Sequence, residues 1–254
     1  MFLLTNDDGI ESWFLVVLAE ALLRHGPLCV AAPARPQSWV SRALSCRTPV
    51  RVETYTGLGC PAFAIHGTPA DCVQIALAHL LPEPPAVVVS GINLGLNATL
   101  PLILSSGTVA GALEGALQGH AAVAASFRLP SDRFAEIHGA HGRVEGALAD
   151  AVRAAAEHAA AFAAGLVGQA REGSPVVHNL NYPTDMSADA LMVRTRPAQR
   201  RFASLFEKTH EDGVFHFRFQ PPTRLATHPD DDDLALFAGR ISHTVLDFAA
   251  LGVA

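Results

Sequence analysis

Apolar residues fall into two textures along this chain, short unbroken runs and longer stretches at helical spacing. Phe2, Leu3 and Leu4 form a run ended by the polar turn Asn6-Asp7-Asp8-Gly9. Helical spacing then holds over Trp13–His25 until Gly26-Pro27 stops it, and Leu28–Ala32 is a second run ended by Pro33. Strands buried on both faces have this unalternating texture, and strand, turn, helix, strand is how a parallel α/β sheet begins. Thr68-Pro69-Ala70-Asp71 predicts a helix start. Thr68 can cap, Pro69 suits the first helical position, and Asp71 stands where a capping box places a carboxylate. This helix is expected to reach Leu81, before Pro82. Ala86–Val89 predicts a buried strand ending in the loop Ser90-Gly91-Ile92-Asn93, Thr108–Gln118 a helix and Ala121–Ser126 a strand.

Beyond Ser126 the texture changes. Gly142–Leu166 is rich in alanine and predicts a helix. Pro175–Asn181 and Leu191–Arg196 predict strands. Arg196–Gln220 mixes basic and aromatic residues, among them Arg200, Arg201, Phe202, Phe206, Phe215 and Phe217, and suggests a hairpin projecting from the body. Asp230–Asp233 reads as a solvated cap, its charge favouring the start of a short helix that Gly239 ends. Arg240–Leu246 predicts a closing strand, and no internal repeat is visible.

Composition narrows the function classes. With 254 residues, half of them hydrophobic and 17% charged, the chain is long and apolar enough to fold around its own core and is not of the disordered kind. A net charge of -6 argues against the broad basic face that a nucleic acid polymer requires. No apolar run is long enough to span a membrane, and the polar turn so soon after Leu4 makes a signal peptide unexpected. Cys29, Cys46, Cys60 and Cys72 lie apart with no C-x-x-C spacing, which suits reduced thiols in a cytoplasmic protein. The 12 histidines form no zinc-binding pattern.

Candidate chemistry concentrates in loops after the predicted parallel strands, where ligands bind open α/β sheets. Asp7 and Asp8 can hold a hard cation such as Mg²⁺, which prefers one or two carboxylates with waters and a substrate phosphate. The same residues also suit a polar turn capping the next helix. Asn93 offers a neutral oxygen among glycines that permit close backbone approach; a plain glycine-rich connection has the same composition. Ser105-Ser106-Gly107-Thr108 opens a helix of small residues, and free N–H groups there suit phosphate, although ordinary capping uses the same residue types. An acidic loop with a phosphate-type helix start points to phosphoryl chemistry.

Taken in order, Leu3–Ile10, Ala31-Ala32-Pro33 with Ser38, Gly67–Val73, Val89–Gly95 and Ser106-Gly107-Thr108-Val109 resemble the SurE survival-protein family, as does the later Asn179-Leu180-Asn181-Tyr182-Pro183. The resemblance is strong over the first half of the chain and weak beyond it. It implies a Rossmann-like, mostly parallel sheet flanked by helices over residues 1–190. It also implies a smaller C-terminal extension over 191–254 that serves homodimer or homotetramer assembly. The implied activity is that of a divalent-metal-dependent phosphomonoesterase on nucleoside monophosphates, a 5′-nucleotidase of the acid phosphatase type with 3′-nucleotidase or exopolyphosphatase side activity. By motif position, one Mg²⁺ or Mn²⁺ per subunit falls to Asp7, Asp8, Ser38 and Asn93. Phosphate falls to Ser106, Gly107, Thr108 and Asn97, and Asp7 and Asp8 take the catalytic role. Ser38 emerges only from the resemblance.

The chain departs from the family's pattern around these ligands. Trp13-Phe14 replaces Pro-Gly, Trp39, Arg42 and Ala43 follow Ser38 where smaller residues are usual, no acid follows Asn97, and Ser105 and His243 replace other types. Altered surroundings can cost a metal site 10–100-fold. A non-catalytic nucleotide- or phosphate-binding protein on the same fold is therefore the alternative expectation.

Overall fold

The computed structural model describes residues 1–169 and 173–251. The two opening apolar runs are β1 (Phe2–Thr5) and β2 (Leu28–Pro33), each buried throughout, with α1 (Trp13–Leu23) between them. β3 (Val52–Tyr55), β4 (Ala62–Ile65) and α2 (Pro69–Ile75) follow, then β5 (Val87–Leu94), α3 (Leu100–Ser105), α4 (Gly107–Leu117) and β6 (Ala121–Phe127). After α5 (Phe134–Gly139), α6 (Gly146–Gly165) and β7 (Val176–Tyr182) come the short β8 (Met192–Thr195), β9 (Arg200–Arg201), β10 (Phe206–Lys208), β11 (Phe215–Phe217) and β12 (Thr223–Arg224). α7 (Asp232–Phe237) and β13 (Ile241–Asp247) end the regular structure.

Nine strands form one sheet in the order β3-β4-β2-β1-β5-β6-β7-β13-β8. Pairing is parallel from β4 through β7, while β3 and β13 run antiparallel to β4 and β7. The expected α/β architecture, mostly parallel with a projecting hairpin, is therefore present. β13, from beyond residue 190, lies between β7 and β8, so the C-terminal segment contributes strands to the main sheet. β10 and β11 form the hairpin, exposed at every residue. No helix among the described residues is long and apolar enough to cross a membrane.

Side chains alternate across each strand, and both faces of the sheet are covered. Leu4, Val30, Val87 and Val89 join the core that includes Phe14 and Leu18 of α1 and Val152 and Ala156 of α6. Leu3, Ala31 and Val88 face the other way, onto Cys72 and Val73 of α2. Ala122 and Ala124 meet Val109 and Ala112 of α4 on that face. Each Leu, Val or Phe so buried contributes about 1.5–3 kcal/mol. Small residues let α4 lie close: a β-carbon at Gly115 would stand 2.5 Å from Val88 Cβ.

The capping box at Thr68 forms as predicted, with the Asp71 N–H donating to Thr68 Oγ1 and the Thr68 N–H to the Asp71 carboxylate. Beyond Ile75 the helix loosens into a π-turn over Ala76–Leu80, ending where Pro82 requires. Other expectations need correction. Ser90–Asn93 is not a loop, because β5 continues to Leu94 through a register shift between Ser90 and Asn93. Gly91 permits it: at φ +138° its missing β-carbon would lie 2.3 Å from the Ala125 carbonyl oxygen. α3 fills what reads as a loop before Ser106, and β3 and β4 form an unpredicted hairpin at the sheet edge. Asp231, Asp232 and Asp233 are buried rather than solvated. Asp232 accepts the backbone N–H groups of Thr99, Ala198 and Asp233, and Asp233 pairs with Arg200.

Candidate metal and phosphate site

The chain runs from β1 to β2 on one side and returns to β5 on the other side of β1. A reversal of this kind opens a crevice at the carboxyl ends of the strands. Asp7 and Asp8 leave β1 there, and both are buried. The Asp7 carboxylate accepts a 2.6 Å hydrogen bond from the Thr108 hydroxyl, at the start of α4. The Asp8 carboxylate accepts the Leu94 N–H at 2.8 Å, beside Asn93. The Gln37 N–H donates to the Asp7 carbonyl at 2.7 Å, which brings the segment bearing Ser38 to the same loop. Ser41 ties that segment to the end of α3 through the Leu104 and Ser105 carbonyls.

The electrostatics favour a cation. Burial pushes the Asp7 carboxyl up to about 6, although the Thr108 hydroxyl and the N–H groups of Gly107 and Thr108 oppose the rise. Burial, and then the charge of Asp7, holds Asp8 well above the ordinary carboxylate range. No Lys, Arg or His is paired with either acid among the described residues. Two carboxyls forced together in little solvent raise each other's cost of ionisation, and a divalent ion between them would relieve it. Asn93 is half-buried and its amide donates to the Gly95 carbonyl, so its Oδ1 is left as an acceptor. Ser38 is exposed. Among the described residues no three His, Cys, Asp or Glu converge. The donors at hand are two carboxylates and neutral oxygens, which suit Mg²⁺ or Mn²⁺ with retained waters.

The expected phosphate residues divide. Ser106 is buried and its hydroxyl oxygen accepts the Val109 N–H as the cap of α4, leaving its own proton to donate. Thr108 gives its hydroxyl proton to Asp7 instead of standing free for an anion. Gly107 makes room for Asp7, since a β-carbon there would lie 2.8 Å from Asp7 Cβ. Asn97 is a strut: its amide donates to Ser126 Oγ at 2.8 Å, its N–H to Asn181 Oδ1, and its carbonyl accepts the amides of Asn179 and Asn181. The roles of Asn179 and Asn181 were missed from sequence, yet their spacing of two on a strand places both on one face. Leu94 acts through its backbone, which no side-chain pattern reveals.

A family model described as "Survival protein SurE" matches residues 2–204. The 5'-nucleotidase SurE of Solidesulfovibrio magneticus is 36% identical over 252 residues, which cover 97% of this chain and 91% of that protein. The 5'-nucleotidase SurE of Chlorobium chlorochromatii is 46% identical over 125 residues, covering 49% of this chain and 46% of that one. The crystal structure of the SurE protein from Aquifex aeolicus is similar with a TM-score of 0.67 and 25% identity, covering 97% of this chain and 92% of that one. The family model over residues 2–204, a relative 36% identical along 97% of this chain and a solved structure of the same fold agree: this chain belongs to the SurE family.

Proposed function

We propose that this protein is a divalent-metal-dependent phosphomonoesterase that releases phosphate from nucleoside monophosphates, acting as a 5′-nucleotidase. The observation that carries the reading is the pair Asp7 and Asp8, both buried at the switch point with no basic partner among the described residues. Relatives named 5'-nucleotidase SurE support the substrate class. Asp7, Asp8, Asn93 and Ser38 would hold Mg²⁺ or Mn²⁺, which when bound supplies Lewis-acid polarisation of the phosphoryl group and a more acidic water.

The chain's own residues do the rest. Thr108 and the Leu94 N–H fix the two carboxylates from opposite sides. The two carboxylates, side by side in the crevice, accept the proton of the attacking water. The N-terminus of α4 favours negative charge on Asp7 and on a phosphate oxygen beside it, and Ser106 donates its hydroxyl proton to that oxygen. Asn97, held by Asn179, Asn181 and Ser126, keeps the wall of the crevice in place.

Purified protein incubated with AMP or GMP should release inorganic phosphate with Mg²⁺ or Mn²⁺ and none with excess chelator. Binding of AMP without release under any metal would make this a nucleotide-binding protein and overturn the hydrolase reading.

A further inference from the structure

Trp39 directly follows the candidate ligand Ser38, at φ +63°. A bulky residue rarely adopts this left-handed backbone. The conformation turns its side chain toward the projecting C-terminal segment. There its ring lies 5.0 Å from Phe217, 6.2 Å from Phe202 and 6.1 Å from Phe219, centroid to centroid. Phe202 and Phe219 also meet, at 5.8 Å. The three rings stand at 51–67° to the indole, so none lies parallel to it. Trp39 is 39% exposed and Phe217 and Phe219 nearly half exposed. This is an open aromatic surface, not a closed core.

Its position decides what it can bind. The Ser38 segment is strapped to Asp7 through Gln37 and to the end of α3 through Ser41, so Trp39 lies between two anchor points, one of them on the acid loop itself. Consecutive residues stand about 3.8 Å apart at Cα. The Trp39 side chain therefore starts one residue from a candidate metal ligand, on the segment whose Gln37 N–H donates to the Asp7 carbonyl. Aromatic faces stack on any nucleobase. The usual small residue after Ser38 could supply no such face.

We propose that Trp39, backed by Phe202, Phe217 and Phe219, is the platform on which the nucleobase of the substrate stacks while its phosphate lies at Asp7 and Asp8. The proposal rests on the hydrolase reading above and gives it a base-recognition element built from the segment after Ser38 and the C-terminal hairpin.

The test compares AMP with ribose 5-phosphate, which keeps the sugar phosphate and lacks the base, in the full-length protein. Trp39→Ala and, separately, Phe217→Ala should each lower the AMP to ribose 5-phosphate ratio of kcat/KM, for Trp39→Ala by about ten-fold. AMP and adenosine should quench tryptophan fluorescence of the wild type. The chain has two tryptophans, and the other, Trp13, packs on Phe14 in α1, so the quench should vanish in Trp39→Phe. An unchanged ratio, with both substrates losing equally, would make Trp39 a mere brace for the Ser38 segment and overturn the proposal. A shift of oligomeric state in sedimentation with the ratio intact would assign the surface to a second copy, and would overturn it too. If the wild type hydrolyses neither substrate, the hydrolase reading fails while the AMP quench still decides for or against the platform.

Discussion

Asp7 and Asp8 are neighbours in the chain, yet each is governed by a different partner: Asp7 by the start of α4, Asp8 by the end of β5. Removing one charge separates a ligand from a structural cap. Asp8→Asn keeps an oxygen for the Leu94 N–H and ends the repulsion with Asp7. It should melt at or above the wild-type temperature without metal and lose at least about 100-fold in phosphate release, beyond what altered surroundings alone remove. A large fall in melting temperature with activity retained would make Asp8 a cap. Gly107 is the second test at this scale. The family resemblance assigns Gly107 to phosphate, but the structure puts Asp7 in the space a side chain there would take, 2.9 Å from the absent β-carbon at Oδ2. Gly107→Ala should therefore cost about 1–3 kcal/mol as overpacking and weaken Mn²⁺ binding in calorimetry. Undiminished Mn²⁺ affinity would show that Asp7 is not displaced.

At the scale of elements, the segment bearing Ser38 and Trp39 has no regular structure between Gln37 and Ser45 and depends on two helices. Arg42 Nε donates to Glu114 of α4 at 2.7 Å, and Gln74 of α2 donates to the same carboxylate. Asp71 of α2 accepts the Ser45 N–H and hydroxyl, and Thr68 donates to the Ala43 carbonyl. Glu114 is fully buried, so its charge relies on these donors. Arg42→Met should destabilise the protein by about 1–3 kcal/mol in urea melts, because a buried acceptor loses its charged partner. Adding Glu114→Gln should recover part of that loss by removing the buried charge. A loss equal in the single and double variants would show that Arg42 acts by packing alone.

At the scale of the whole molecule, Asp232 joins the C-terminal segment to the crevice by accepting the N–H groups of Thr99 and Ala198. Burial raises its carboxyl to about 6, against the hydrogen bonds that favour its charge. The folded state then holds a proton that the unfolded chain releases near 3.8, so this group's contribution to stability falls as pH rises from about 4 to about 6 and is flat above 7. The stability of the wild type relative to Asp232→Asn should decline over that window by on the order of 2–3 kcal/mol. Urea melts at pH 4, 5, 6 and 7 read it directly, and a difference independent of pH would show that Asp232 stays ionised throughout.

What the sequence determined by itself was local. Short unbroken apolar runs bounded by turn residues read as strands buried on both faces, so β1, β2 and β6 were legible, and the Thr68 capping box announced α2 because both of its partners lie within one turn. The acids after β1 and the serine and glycine that open α4 were visible as chemistry for the same reason. β3, with two exposed residues in four, carried too little apolar contrast to show. The tertiary structure alone decided how those pieces face one another. It gave the Thr108 hydroxyl to Asp7, ran β5 through what reads as a loop because Ala125 leaves room only for Gly91, buried Asp232 among backbone donors from distant segments, and gathered Trp39 with phenylalanines more than 160 residues away in the chain. Each of these rests on contacts between residues remote in sequence, and the alternation and spacing of a chain encode the facing of an element, not the identity of the partner it meets.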